Sequence, residues 1–263
     1  MIVKQWIDYL PNWAVFGGTV LLVLASIEAG FRIAVKCKRA GDEAKGSPIG
    51  SATGGTLGLL AFLLAITFGM AGSRFEARRE LLLDEVNAIG TCYLRAGVTP
   101  EPMRDEVQKL LREYVHLRSE ALKRPDLLIE AMKRSQVILD ELWAQAQLVA
   151  QKDPNSEMHA LFVDSLNEVI DFHTKRIVVG RYRVPNVIWL ALYVIAVLSM
   201  ASVGYQFGRA AARDWAIGLF LAVAFSIVIT LIAALDHSIF DGGLVVNQQP
   251  MIELDQKLNA KAP

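Results

Sequence analysis

Residues 50–96 read GSATGGTLGLLAFLLAITFGMAGSRFEARRELLLDEVNAIGTCYLRA. Up to Gly72 the run is glycine-rich, apolar and free of charge. From Ser73 onward it is charged and amphipathic, and no proline separates the two halves. As one helix, roughly 45 residues would span about 65–70 Å at 1.5 Å per residue. About 30 Å of that crosses a bilayer and the rest stands in water. The stretch therefore predicts a helix that leaves the membrane and enters a soluble domain.

Working outward, 53% of the 263 residues are hydrophobic, and they concentrate in four runs, at about 12–35, 51–72, 186–207 and 215–235. Each is long enough for a transmembrane helix. The expected fold class is all-α: a polytopic membrane protein with four transmembrane helices and a helical-bundle insertion between spans two and three. A net charge of zero and the lack of any groove-reading or base-stacking signature exclude a nucleic-acid binder. The first run continues through IEAGFRIAV to a basic cluster, which suits a retained helix better than a cleaved signal peptide. Cys37 and Cys92 fall on opposite sides of the membrane in this topology, so no bridge between them is expected.

The expected divisions are 1–72, an interfacial N-terminal helix with spans one and two; 73–184, a soluble helical domain continuous with span two; 185–235, spans three and four; and 236–263, a polar C-terminal tail. Trp6, Trp13, Trp189 and Trp215 suit a headgroup belt. Glu28 and Arg32 share one face of the first span, as an ion pair near the membrane edge or as charges on a water-filled path. In the soluble domain, 3–4 spaced stripes run through Phe75, Leu82, Val86, Ile89 and Tyr93; Val107, Leu110, Leu111, Tyr114 and Leu117; Leu128, Met132, Leu139, Leu142 and Trp143; and Leu161, Phe162, Leu166, Val169 and Ile170. Four such helices can bury their stripes against one another. Pro102, Pro125-Asp126 and Asp153-Pro154-Asn155-Ser156 mark helix starts and a turn.

On the second span, Gly54, Gly58, Ala61, Ala65, Gly69 and Gly72 fall within an arc of roughly 80° at 100° per residue, with Phe62 at its edge and Ile66 beyond. Close helix packing is the simpler reading of such small residues. The functional reading makes this helix line a pore, with Phe62 and Ile66 as an apolar constriction. Arg74, Arg78 and Arg79 follow at the membrane exit, either as a salt-bridged face with Glu76 and its neighbours or as a basic vestibule that gathers anions. Enzyme readings fare badly. His116, His159, His173 and His237 have no metal-ligand spacing, no nucleophile elbow or phosphate-cradling loop is present, and Asp84 and Glu85 point about 100° apart. Asp236-His237 reads as a membrane-boundary turn.

The run LLAFLLAITFGMAGSRFEARRELLLDEVNAIGTCYLRA, a helical segment, two further spans and a tail reading LDHSIFDGG resemble the bacterial bestrophin-like proteins. That group is more distantly similar to the bestrophins, homopentameric anion channels. The resemblance covers most of the chain, and Arg74-Phe75-Glu76-Ala77-Arg78-Arg79 echoes the arginine motif that ends the bestrophin second span. Counting back from Arg74, the positions matching the bestrophin neck are Gly58, Phe62 and Ile66, with glycine where a bulky residue is usual. Asp236, Phe240 and Gly242 match the turn after the fourth span, without its proline. The resemblance implies a homo-oligomer, a pentamer by analogy, with membrane lipid and inorganic anions such as chloride as partners. No acidic run resembling the calcium clasp of the animal channels is present, so no calcium gating is expected, and no cofactor or enzymatic activity is expected either. The resemblance also implies a bacterial inner membrane location with termini and helical domain in the cytoplasm, whereas the short-loop lysines and arginines taken alone favour the opposite orientation. The competing expectation is a non-conducting scaffold or sensor whose helical domain binds a protein partner, and a transporter is a weaker third.

Overall fold

The computed structural model describes residues 10–39, 49–123, 128–210, 214–236 and 246–260. The expected N-terminal interfacial helix with Trp6, most of the loop after the first span, Pro125-Asp126, His237, Phe240 and Gly242 lie outside these residues. The described residues form eight helices and no strand: α1 (Asn12–Arg39), α2 (Ile49–Ala96), α3 (Met103–Lys123), α4 (Leu128–Lys152), α5 (Glu157–Val179), α6 (Asn186–Arg209), α7 (Trp215–Asp236) and α8 (Gln249–Asn259). Four of them, α1, α2, α6 and α7, are long and apolar enough to cross a membrane. The chain divides into two compact units. One comprises residues up to Phe75 with Tyr182–Val245, the other Glu76–Arg181 with the residues from Val246.

In the first unit α1 packs on α6 and α7. The α1–α6 contact is close because glycine stands where side chains would collide. A methyl added at Gly30 would overlap the Ala201 carbonyl, one at Gly204 the Ile27 backbone, and one at Gly208 would lie 2.5 Å from Ala34 Cβ. Small residues on facing helices let backbones approach to van der Waals distance, the main source of helix association in lipid. Trp189 departs from the expected headgroup belt. It is fully buried among Leu60, Leu192 and Ile229 and stacks on Tyr193 at 6.4 Å, whereas Trp13 and Trp215 are exposed. Glu28 and Arg32 form an i,i+4 ion pair at 2.7 Å, with the arginine largely exposed.

In the second unit α3 packs on α4 and α8, and α4 on α5. Ser156 caps α5 by accepting from the His159 backbone N–H, as the Asp-Pro-Asn-Ser turn predicts. Of the α3 stripe, Val107, Leu110, Leu111 and Tyr114 are buried as expected and Leu117 is half-buried. On α4 Leu139 and Leu142 are buried as expected, together with Ala131, Ser135, Ile138, Ala146 and Val149, whereas Trp143 is exposed. Leu161 is likewise exposed, and the α5 core face runs through Phe162, Leu166, Val169 and His173. Within the stretch read as a polar tail, α8 forms with Pro250 in its first turn and buries Met251, Leu254 and Leu258, a 3–4 spaced stripe.

Candidate functional site

Three places combine unusual chemistry with defined geometry: the outer face of α2 in the first unit, the helix ends around Asp236, and a buried ionic group in the second unit.

The inner seam of α2 in the first unit is Thr53, Leu60, Leu64, Thr67 and Ala71, all buried. With Leu60 at 0° and about 100° per residue, these five fall within roughly 60° of one another. Gly58, Phe62 and Gly69 then lie at about 160–200°, on the opposite side, with Ile66 at about 240°. Phe62 is 61% and Ile66 45% exposed within the chain. A Cβ added at Gly54, Gly58, Gly69 or Gly72 would meet nothing within 4 Å. Among the described residues, then, the glycine stripe has no close neighbour inside the subunit, so any close packing it makes is with a helix from outside the subunit. Close packing within the subunit belongs to Gly30, Gly204 and Gly208. The outward faces of α6 and α7 differ in kind, carrying Val187, Leu190, Leu198 and Phe220. Such bulky apolar residues are at home against lipid tails. A face of glycine and alanine is suited instead to close approach by another helix or to an axis where copies converge.

The arginines after this face occupy three different settings. Arg74 is partly buried, with Nη1 3.6 Å from Asp236 Oδ1. Arg78 is buried at the angle of the inner seam. Arg79 is exposed and lies 3.5 Å from Glu76. Asp236, the last residue of α7, is only 2% exposed. Its Oδ1 also accepts the Val184 backbone N–H at 2.9 Å, and its main-chain carbonyl accepts from the Arg183 guanidinium. One buried carboxylate thus ties together the end of the second span, the approach to α6 and the end of α7. The expected turn after Asp236 lies outside the described residues.

Sequence reasoning missed the third place. Asp84 is exposed, but its neighbour Glu85 is fully buried. Glu85 Oε1 accepts from the Tyr114 hydroxyl at 2.7 Å, and Oε2 accepts from Arg118 at 3.3 Å and from Arg176. The Tyr114 oxygen lies 3.0 Å from His173 Nδ1. Since the hydroxyl proton goes to Glu85, Nδ1 carries the proton of this second bond, and the buried Nε2 is left without a hydrogen-bond partner. Burial raises the Glu85 pKa, but Arg118, Arg176 and the Tyr114 hydroxyl outweigh it and hold the carboxyl down at about 2. Burial and then Arg118 hold His173 at about 4, so it is neutral near pH 7. Burial and then Glu85 keep the Tyr114 phenol well above its ordinary range. The available signal was register. Glu85 continues Leu82 and Ile89 on α2, Arg118 continues Leu111 and Tyr114 on α3, and Arg176 continues Val169 and His173 on α5, so each charge sits on a core position.

Among the described residues no group of three or more His, Cys, Asp or Glu side chains is placed to hold a metal ion. Both cysteines are free, and burial pushes the Cys92 thiol up to about 12.

A family model described as a bestrophin-like domain matches residues 49–251. Three structures of a bacterial bestrophin homologue from Klebsiella pneumoniae, each with a single substitution, share the fold. Two match with a TM-score of 0.62 at 15% identity, covering 92% of this chain and 95% of theirs. A third gives a TM-score of 0.59 at 17% identity over the same shares of both chains. No curated protein matches the sequence.

Proposed function

The chain belongs to the bestrophin-like family, and from that premise we propose that it is one subunit of a homo-oligomeric ion channel in the bacterial inner membrane, pentameric by analogy. Subunits surround an axis faced by α2, and Phe62 and Ile66 form its apolar constriction, with Gly58 one turn further along. The observation that carries this reading is the outer face of α2: small residues in open space, with exposed Phe62 and Phe68 at the two edges of their arc. An apolar ring of this kind closes a path by excluding water and opens when the ring widens or wets. Anion selectivity, chloride above all, rests on the family premise, because Glu76 rather than an arginine continues the Phe62 face beyond the membrane (at about 160°). By the same analogy, in this proposal the termini and the second unit lie in the cytoplasm.

Reconstitution in liposomes tests the proposal. Chloride efflux is expected from wild-type protein, and Phe62→Ala should change its rate. A folded sample that gives no flux, or one whose flux is unaltered by Phe62→Ala, counts against it. Mass measurement in nanodiscs reports subunit number independently.

A non-conducting scaffold is the second reading. It is favoured by an open groove of about 490 Å³ in the second unit, lined by Leu83, Val86, Gly90, Leu94, Pro250 and Leu258. Cysteine cross-linking at Phe62 separates the two. Crosslinks between equivalent Phe62 positions support the channel, and a monomer without them supports the scaffold.

A further inference from the structure

In the second unit one carboxylate stands between two guanidinium groups. Arg118 Nη2 and Arg176 Nη1 converge on the same oxygen of Glu85, and among the described residues neither arginine has another ion pair. Tyr114 and His173 are uncharged near neutral pH, so the group carries one positive charge in excess. A buried charge without a counter-charge is costly. Burial, together with the charge of Arg118, holds Arg176 below the usual guanidinium range, whereas Glu85 outweighs burial on Arg118 and holds it above, so the shared carboxylate compensates one cation and not the other. Each guanidinium offers five N–H donors in a planar fork and directs one nitrogen at Glu85. Both arginine side chains are 12% exposed, so the pair reaches the protein surface.

We propose that Arg118 and Arg176 together bind a small monovalent anion, chloride, on the side of their guanidinium planes away from Glu85. A single negative charge completes neutrality. The donors come from α3 and α5 while Glu85 comes from α2, so the anion acts as a soluble clamp between helices of the second unit. Its occupancy makes the stability of that unit depend on anion concentration. This is a separate matter from conduction and holds whether or not α2 lines a pore.

The test uses the full-length protein in detergent. Crystals soaked in bromide should give an anomalous peak between the Arg118 and Arg176 guanidinium groups, and a wild-type crystal without that peak overturns the proposal. In solution, chloride replacing gluconate at constant ionic strength should protect the second unit from unfolding. At ten times the dissociation constant the folded-to-unfolded ratio should rise about elevenfold. Equal stability in the two salts overturns the proposal, and protection by phosphate but not chloride overturns the monovalent assignment. Arg176→Gln removes the excess charge and should abolish the chloride dependence. Should that variant not fold, the bromide experiment on wild type still decides.

Discussion

Replacing Glu85 by glutamine should open the second unit out of proportion to the size of the change. Glutamine keeps the volume and can still accept from Tyr114, so packing is preserved. What is lost is the charge that two guanidinium groups share while only 12% exposed. Removing one partner of a buried ion pair costs about 3–5 kcal/mol, mainly because the other charge is stranded. Here two are stranded, which places the expectation toward the upper part of that range. The suitable assay is amide hydrogen exchange on the full-length protein, because it reads opening helix by helix where two units need not unfold together. At about 1.4 kcal/mol per decade, exchange in the middle of α3 and α5 should accelerate by between two and nearly four decades. Asp84→Asn is the control. It lies one residue away but is exposed, and should stay within about 0.5 kcal/mol of wild type. Protection in Glu85→Gln within about 1 kcal/mol of wild type would refute the claim that Glu85 neutralises this group.

Acid should destabilise the same unit in two stages. The folded pKa values of His173 and Glu85, about 4 and about 2, both lie below their ordinary values of 6.5 and 4.5, so the folded state binds fewer protons than the unfolded one. Stability should fall from about pH 6.5 toward 4 through His173 and below pH 4.5 through Glu85, and a titration of unfolding midpoints in which acid stabilises would contradict this. Gly204→Ala should cost about 1–3 kcal/mol in the first unit, because the obstacle is the Ile27 backbone, whereas Gly58→Ala should leave the subunit fold intact. Detergent-denaturation midpoints of the two variants check this pair. Cys37 should react with a maleimide well before Cys92, which is buried and held protonated at pH 7, and equal rates under native conditions would place Cys92 elsewhere.

Much of the architecture was legible because hydrophobic length and helical spacing carry it directly. The four apolar helices and the α3 stripe follow from those patterns. Arguments from residue type without regard to facing fared worse. A tryptophan near the start of a span suggests a headgroup belt, yet the face of α6 that bears Trp189 points into the core. A glycine stripe suggests packing without saying against what: α2 turns its glycines outward, and the close contact within the chain is made by Gly204-x-x-x-Gly208 of α6 against α1. Helix α8 was hidden by its length of 11 residues and by surrounding polar residues, although Met251, Leu254 and Leu258 have helical spacing. The Glu85 group could not be assembled from sequence, because its members come from three different helices. Only their core registers hinted that three charges had to meet.

The Asp236 carboxylate has a consequence for biosynthesis. Its partners Arg74 and Val184, and Arg183, which donates to the main-chain carbonyl of Asp236, are all made before it, and the fourth span ends on it. Arg74 is translated about 160 residues earlier, an interval of roughly 8–32 s at 5–20 residues per second. Throughout that interval the end of the second span carries a cation whose buried counter-charge does not yet exist. The first three spans are therefore assembled provisionally, and the ribosome supplies the acid that fastens the ends of α2 and α7 to the approach of α6 only in the last steps of membrane insertion.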